Sequence, residues 1–220
     1  GLKTVIMDNL EVIGHKQVEL VTSWMHERLK DVIVVASNPN VVNSVKFTAK
    51  EREYKDTVKY LETLVTEYGY KGAFVSNNKG SIILATSEDR VGNNISEMDF
   101  FKHAIQGKTF SSGIIPSKVP LINEFDEYET GLPTMFVASP LKDDDESIIG
   151  IVVLRLHVAI LSNLMQNYAY GKTGESYLVN GQGYMLTESR FTKHLKKRGT
   201  VKKRSATEVK LINPETGKLT

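Results

Sequence analysis

The 220-residue sequence predicts an α+β fold in which a long N-terminal helix precedes two related antiparallel-sheet modules. Three observations carry that reading. Residues 2–37 contain no proline, and Ile6, Leu10, Ile13, Leu20, Trp24 and Val32 recur near helical spacing. Beyond residue 69 the apolar period becomes strand-like. The stretch "GAFVSNNKGSIILATSE" is then echoed by "ESYLVNGQGYMLTES", with Tyr177 matching Phe74, Asn180 matching Asn77 and Gly183 matching Gly80. Such self-similarity reads as one supersecondary unit used twice.

The first helix has Gln17 and Arg28 as polar interruptions of its stripe and closes at "NPN", residues 38–40. Its length suggests a coiled coil, a membrane continuation or a spine along which other parts pack. Thr48 and Glu51 have capping-box spacing, and Val58, Leu61, Leu64, Val65 and Tyr68 form a second amphipathic stripe that stops at Gly69. "KGAFVSN" and "SIILATS" read as a hairpin turning through Asn77, Asn78, Lys79 and Gly80. Ser96 with Asp99 is expected to open a short helix carrying Phe100, Phe101, Ala104 and Ile105, ended by Gly107. Strands are expected near 109–115, 133–140 and 148–156. The insertion "PSKVPLINEFDEYETG" reads as a surface loop or, because long loops are uncommon, as a lid over a pocket. "KDDDES" reads as a solvated acidic turn, and a helix over 159–167 leads into the second copy of the hairpin.

Composition narrows the function. A hydrophobic fraction of 40% suffices for ordinary cores, and the net charge of +2 gives no global attraction to nucleic acid. The pI of about 8.6 owes much to one run, "KKRGTVKKR" at 196–204. With no cysteine, thiol catalysis, disulfides and thiolate metal sites are excluded. His15, His26, His103, His157 and His194 show no HExxH or comparable ligand spacing. P-loop, GxSxG and dinucleotide-glycine patterns are also absent, so no catalytic residue, metal or cofactor is expected. A small hydrolase with dispersed acid and base groups is the enzymatic alternative. There is no run of 18 apolar residues, and the chain begins inside a helical pattern and stops at "NPETGKLT", so continuation past both ends is expected.

The order of parts resembles the double-Cache extracytoplasmic sensor module of bacterial and archaeal membrane receptors, over nearly the whole length. The resemblance rests on the long helix, on "YKGAFVSNNKGSIILATSED", "DFFKHAIQGK" and "PTMFVASPLKDDDESIIGIVVLRLHV", and on a second module opening with "GKTGESYLVNGQGYML". It implies PAS-like antiparallel sheets flanked by helices, the second module being short by several strands. The implied boundaries are 1–68 for the two helices, 69–158 for a membrane-distal module and 159–220 for a partial membrane-proximal one. It further implies transmembrane helices on either side, a small-molecule pocket in the distal module, and a histidine kinase, chemoreceptor or cyclase output. The length of the N-terminal helix and its apolar stripe near a 3.5-residue repeat predict a homodimer through it, the alternative being that the chain's own sheets use the whole stripe. A structural or protein-interaction ectodomain without its own ligand is the contrasting class.

One residue stands out in "GIVVLRLHV", residues 150–158. An arginine is rarely buried without a partner, and strand alternation places Ile151, Val153, Arg155 and His157 on one face. In amino-acid-sensing members of the resembled family, an Arg, Trp, Tyr grouping grips the ligand carboxylate and an aspartate on the last distal strand grips its amine. Here the corresponding helix reads Met98, Asp99, Phe100, Phe101, and Arg155 falls at the place of the aspartate. The inverted charge disfavours an α-amino ligand and favours an anion such as a carboxylate. The alternative is that Arg155 pairs with an internal acid, for example in 124–129, or reaches solvent. Phe100 and Phe101 either wall the pocket or pack the helix, with Phe101 the better wall; Tyr128 and Phe125 could cover a ligand; strand alignment adds Ser111, Ile114 and Phe136. The expected binding set is therefore Phe100, Phe101, Ser111, Ile114, Tyr128, Phe136 and Arg155. The basic run at 196–204 reads as a nucleic-acid contact, an anionic-lipid contact or a solvated loop. No sheet aromatics accompany it, so no nucleic-acid partner is expected. In the resembled family it would sit in the membrane-proximal module, where lipid headgroups attract cations.

Overall fold

The computed structural model describes residues 1–47, 51–123, 127–168, 171–212 and 216–217. Helix α1 (Leu2–Ala36) ends ahead of a second helical turn, α2 (Pro39–Asn43). Asn38 caps α2 by accepting from the Asn40 amide at 2.9 Å, and Pro39 occupies its first turn, where an amide proton would be orphaned anyway. The next helix, α3 (Arg52–Tyr68), starts later than the capping-box spacing predicts. Glu51 is itself the N-cap, with an extended backbone and no capping bond from its side chain, while Thr48 lies outside the described residues. Gly69 ends α3 in the left-handed conformation, φ +70°.

The remaining elements are β1 (Gly72–Asn77), β2 (Ile82–Ala85), α4 (Asp99–Ala104), β3 (Phe110–Ser111), β4 (Ile115–Pro116), β5 (Leu121–Ile122), β6 (Tyr128–Glu129), β7 (Pro133–Lys142), β8 (Ile148–Leu156), α5 (Ala159–Gln166) and α6 (Thr192–Lys197). Helix α4 begins after Met98 rather than at Ser96. The Ser96 amide donates instead to Asn94 Oδ1 at 2.9 Å, closing an Asx turn, and its hydroxyl donates to the same oxygen at 2.6 Å, so Ser96 caps nothing. Helix α6 has no counterpart among the sequence expectations.

Contacts divide the chain into two compact units. A sheet unit comprises Met25–Gly113 and Met135–His157; a terminal unit comprises Gly1–Trp24, Ile114–Thr134 and Val158–Thr220. In the sheet unit the antiparallel order is β2-β1-β8-β7-β3. One sheet face carries Ala73, Val75, Val137, Val152 and Leu154, all buried, and α3 packs on β1 and β2. The opposite face carries Phe74, Phe136, Ala138, Ile151 and Val153, against which α4 lays Phe100, Phe101 and Ala104.

The hairpin repeat is reproduced atom by atom. The Asn77 amide donates to Ser81 O at 3.0 Å, Gly80 N to Asn77 O at 3.1 Å, and Asn77 Oδ1 accepts from Lys79 N and Ser81 N at 3.0 and 3.1 Å. In the second copy Asn180 bonds Tyr184, Gly183 and Gln182 in the same pattern, and Gly80 and Gly183 share φ of +82° and +84°. The β7–β8 turn is a third instance, built on Asp143, with Glu146 held at φ +61° where the other two have glycine.

In the terminal unit this shared turn supports less sheet. Isolated bridges join Val179 to Met185 and Tyr184 to Lys210, and no longer strand forms there among the described residues. The insertion is no featureless loop: β5 and β6 form a small hairpin within it. Gln17, read as an interruption of the α1 stripe, is buried and donates through Nε2 to Met165 O at 3.2 Å. The Glu188 carboxylate accepts from Ser205 N, Ala206 N and Thr192 Oγ1 at 2.9, 3.0 and 2.7 Å, fixing the chain after α6.

Candidate functional site

Four of the expected residues, Phe100, Phe101, Phe136 and Arg155, converge on the α4-covered face of the sheet unit, whereas Ser111, paired with Val137, belongs to the opposite face. Register aligns Gly72, Arg155 and Phe136 in one row across β1, β8 and β7. The next row holds Phe74, Val153 and Ala138 with Phe110 beyond. Phe100 and Phe136 stand with ring centroids 5.0 Å apart, and Phe74 lies 6.5 and 6.4 Å from them. Such tilted and edge contacts add roughly 0.5–1.5 kcal/mol beyond area burial. Phe100 and Phe101 are both buried, so both pack the core and neither is an open wall.

Arg155 is half-buried at the end of this apolar surface. Glycine opposite it on β1 leaves room: a Cβ at Gly72 would touch only Thr86 Oγ1, at 3.7 Å. The Arg155 carbonyl accepts from Lys71 N at 2.8 Å, which anchors the strand end by its backbone. Burial first, and the like-charged Arg90 second, lower the pKa of the guanidinium. No carboxylate bonds to the Arg155 side chain among the described residues. Of the acids in 124–129, Glu129 is engaged elsewhere, its carboxylate meeting Arg204 Nη2 at 3.0 Å, Lys203 Nζ at 3.3 Å and Asn123 Nδ2 at 3.1 Å, and Glu124 and Asp126 lie outside the described residues.

Ser111 sits half-buried on edge strand β3 opposite Val137, its Oγ accepting from Gly113 N at 3.2 Å. Beside it, Ser112 Oγ accepts from the Phe136 amide at 3.0 Å, which fixes the strand that carries that ring. Two further expectations fall apart from this group. Ile114 and Tyr128 belong to the terminal unit, and Tyr128 is 77% exposed, because the hairpin that carries it is tied down through Glu129. Phe125 lies outside the described residues. Sequence reading missed Gly72, Phe74 and Arg90; the hairpin pattern could have placed Phe74, whereas Arg90 reads as one more surface charge in "SEDR".

The terminal unit holds a separate cleft of about 340 Å³ between Leu10, Ile13, Gly14 and Gln17 of α1 and residues 173–176, and none of the expected site residues lines it. Among the described residues no cluster of acidic and imidazole groups is placed to hold a metal, and no helix is long and apolar enough to cross a membrane.

Solved structures share the fold. The sensor domain of the V. cholerae histidine kinase DctB aligns with a TM-score of 0.65 at 10% identity, covering 85% of this chain and 68% of that one. The ligand-binding domain of the Pseudomonas fluorescens chemoreceptor CtaA, in complex with L-serine, gives 0.57 at 16% identity, over 86% and 74%. That of the Pseudomonas aeruginosa amino acid chemoreceptor PctC, in complex with GABA, gives 0.54 at 15%, over 87% and 77%. No curated protein matches the sequence. The Cache domain family model matches residues 2–217, and with the sheet, the helices and these likenesses in place, the chain belongs to the Cache domain family, whose members are sensor rather than catalytic domains.

Proposed function

We propose that the chain is the extracytoplasmic ligand-sensing part of a transmembrane signalling receptor and that its sheet unit, as the membrane-distal module, binds a small organic anion, a carboxylate foremost. The observation that carries this reading is Arg155, a half-buried cation in an apolar strand whose charged neighbour is Arg90 and which no described carboxylate neutralises. An anion supplies the missing charge, and the planar guanidinium matches a carboxylate with two parallel hydrogen bonds. Phe136 supplies an apolar wall and Phe100 braces it from the core. L-Serine and GABA, bound by CtaA and PctC, both carry a carboxylate, which favours a ligand of this chemistry. The output is a histidine kinase, chemoreceptor or cyclase unit. Val5, Met7, Leu10, Val12 and Val18 of α1 are each at least two-fifths exposed, which favours pairing of this helix with a second copy.

The test is a thermal-shift screen of organic acids, with amines and peptides as contrasting panels, followed by titration of Arg155→Met and Arg155→Lys. A native-state ligand raises the melting temperature by mass action. Charge-assisted bonds contribute roughly 1.5–3 kcal/mol, so Arg155→Met weakens an acid about 10- to 100-fold and Arg155→Lys restores part of the loss. Unchanged affinity in both variants removes Arg155 from the site. The absence of any ligand, in this screen and by native mass spectrometry, replaces direct sensing with a partner-protein role. Sedimentation as a monomer with and without ligand, and no crosslinking in tethered receptors, rejects the dimer.

A further inference from the structure

The charge of this chain is segregated. Residues 191–207 contain seven Lys and Arg and no Asp or Glu. Setting those seven aside leaves 21 basic against 26 acidic residues, so the rest of the chain carries a net charge of −5. Glu129 engages two of the seven, Lys203 and Arg204. The other five, Lys193, Lys196, Lys197, Arg198 and Lys202, are exposed on α6 and the turn after it, and none of the ion pairs of the described residues involves them. The segment beneath them is firmly fixed. Glu188 accepts three hydrogen bonds from it, and Val201, Ser205 and Ala206 are buried. The five cations are thus displayed together from an anchored turn instead of trailing on a loose tail.

We propose that this surface docks on anionic lipid headgroups, with Lys193, Lys196, Lys197, Arg198 and Lys202 as its contacts. The inference rests on the membrane-receptor reading above, which makes the terminal unit the membrane-proximal module. Lysine predominates, and the one exposed ring among the five cations is His194, which already lies against Phe191 at 6.4 Å, so the surface suits a diffuse array of negative headgroups better than nucleic acid. The charge separation orients the encounter, because the acidic remainder of the chain is repelled by the same membrane.

Co-sedimentation of the 220-residue chain with vesicles of phosphatidylcholine containing ~30% phosphatidylglycerol, against pure phosphatidylcholine, tests the proposal at low ionic strength and at 0.5 M salt. Selective partitioning onto the anionic vesicles, abolished by salt, is the expected result. Each neutralised cation lowers partitioning about five-fold, so Lys196→Gln, Lys197→Gln and Arg198→Gln together lower it about 100-fold, with an unchanged circular dichroism spectrum and melting temperature. Equal partitioning onto both vesicle types, no binding at low salt, or a triple variant that binds as before overturns the proposal. Tighter binding to a DNA duplex or single strand than to the anionic vesicles at 0.15 M salt assigns the surface to nucleic acid and overturns it too. The organic-acid thermal shift is independent of this readout: its loss with lipid binding intact defeats the sensor reading, and the converse defeats only the lipid surface.

Discussion

Arg155→Met is expected to make the ligand-free domain more stable while weakening its response to carboxylates. Methionine keeps an unbranched apolar stem of similar reach, so the contact with the Phe136 row survives, and the Lys71 N bond to the Arg155 carbonyl involves only backbone. What disappears is a partly dehydrated charge, disfavoured first by burial and then by Arg90. Burying a polar group without compensation costs about 1–3 kcal/mol in mutational data, and partial exposure places Arg155 at the low end, about 1 kcal/mol. In a protein of this size that corresponds to roughly 2–4 °C. Thermal unfolding of wild type and variant without ligand measures the gain. Repetition with the acid found by screening, at about 100 times its wild-type Kd, measures the loss, because wild type gains about 2.7 kcal/mol there and a variant weakened 10- to 100-fold about 0.4–1.4 kcal/mol. A variant less stable than wild type by 1 kcal/mol or more would refute the reasoning, since the guanidinium would then be making native contacts that repay its burial. So would a full carboxylate shift in the variant.

Three further substitutions probe the frame around the site. Glu146→Gly replaces the one acidic residue forced into φ +61° with the residue its two sister turns use, and is expected to stabilise by about 0.5–1 kcal/mol in chemical denaturation despite loss of the exposed Lys142 pair. Gly150→Ala is expected to unfold the sheet unit or shift its melting temperature sharply downward, because a Cβ there would collide with the Ser76 carbonyl oxygen across the β1–β8 ladder. Glu129 has its carboxyl pKa lowered by the Asn123 hydrogen bond, then by Arg204 and Lys203, against an opposing burial effect. Its folded form binds fewer protons than the unfolded chain, so its contribution is full above the ordinary carboxyl value of 4.5 and is lost as pH falls through the lower folded value. Glu129→Gln should flatten the acid limb of the stability profile between pH 5 and pH 3; an unaltered limb rejects the assignment.

How much of this was legible in the sequence depended on whether the signal was local. The hairpin turns were readable because an Asn or Asp side chain, a glycine three residues on and flanking apolar strands are sufficient to specify them, and the structure repeats the same hydrogen bonds at Asn77 and Asn180. The helix starts were misread where spacing mimics a cap: Ser96 and Glu51 each stand near a helix N-terminus, but hydrogen-bond geometry, not spacing, decides which residue caps. The aromatic cluster was half legible. Phe100 and Phe101 are read from the short helix and Phe136 from strand alignment, yet Phe74, which completes the cluster, is read only as part of the repeat. Tyr128 was assigned to the pocket because the insertion looked free, and a single acid, Glu129, redirects that segment through partners 74 and 75 residues further along the chain. No one-dimensional pattern announces a pairing at that separation.

The same logic explains why the two copies of the hairpin ended up unequal. A turn fixes register at its own strands, but a sheet forms only where further strands pair with both edges and bury a face. In the sheet unit β1 finds β8 on its free edge, and the row Phe74, Val153, Ala138 gives that pairing an apolar payload under α4. Among the described residues the second copy gains one bridge beyond its own hairpin, Tyr184 to Lys210, with backbone bonds linking Gly183 and Met185 to residues 207–211 beside it, and its residues Tyr177 and Val179 remain exposed. Duplicated turn chemistry has therefore been put to different uses. In one unit it supports a closed aromatic face, at the rim of which an arginine is left without a described carboxylate. In the other it supports a thin hairpin on which Tyr177 and Val179 stay exposed. A ligand can shift a conformational equilibrium only by its differential affinity for the states. Arg155, which no described carboxylate meets, is the feature through which the proposed anion would generate that difference, since its burial is unfavourable without an anion and favourable with one.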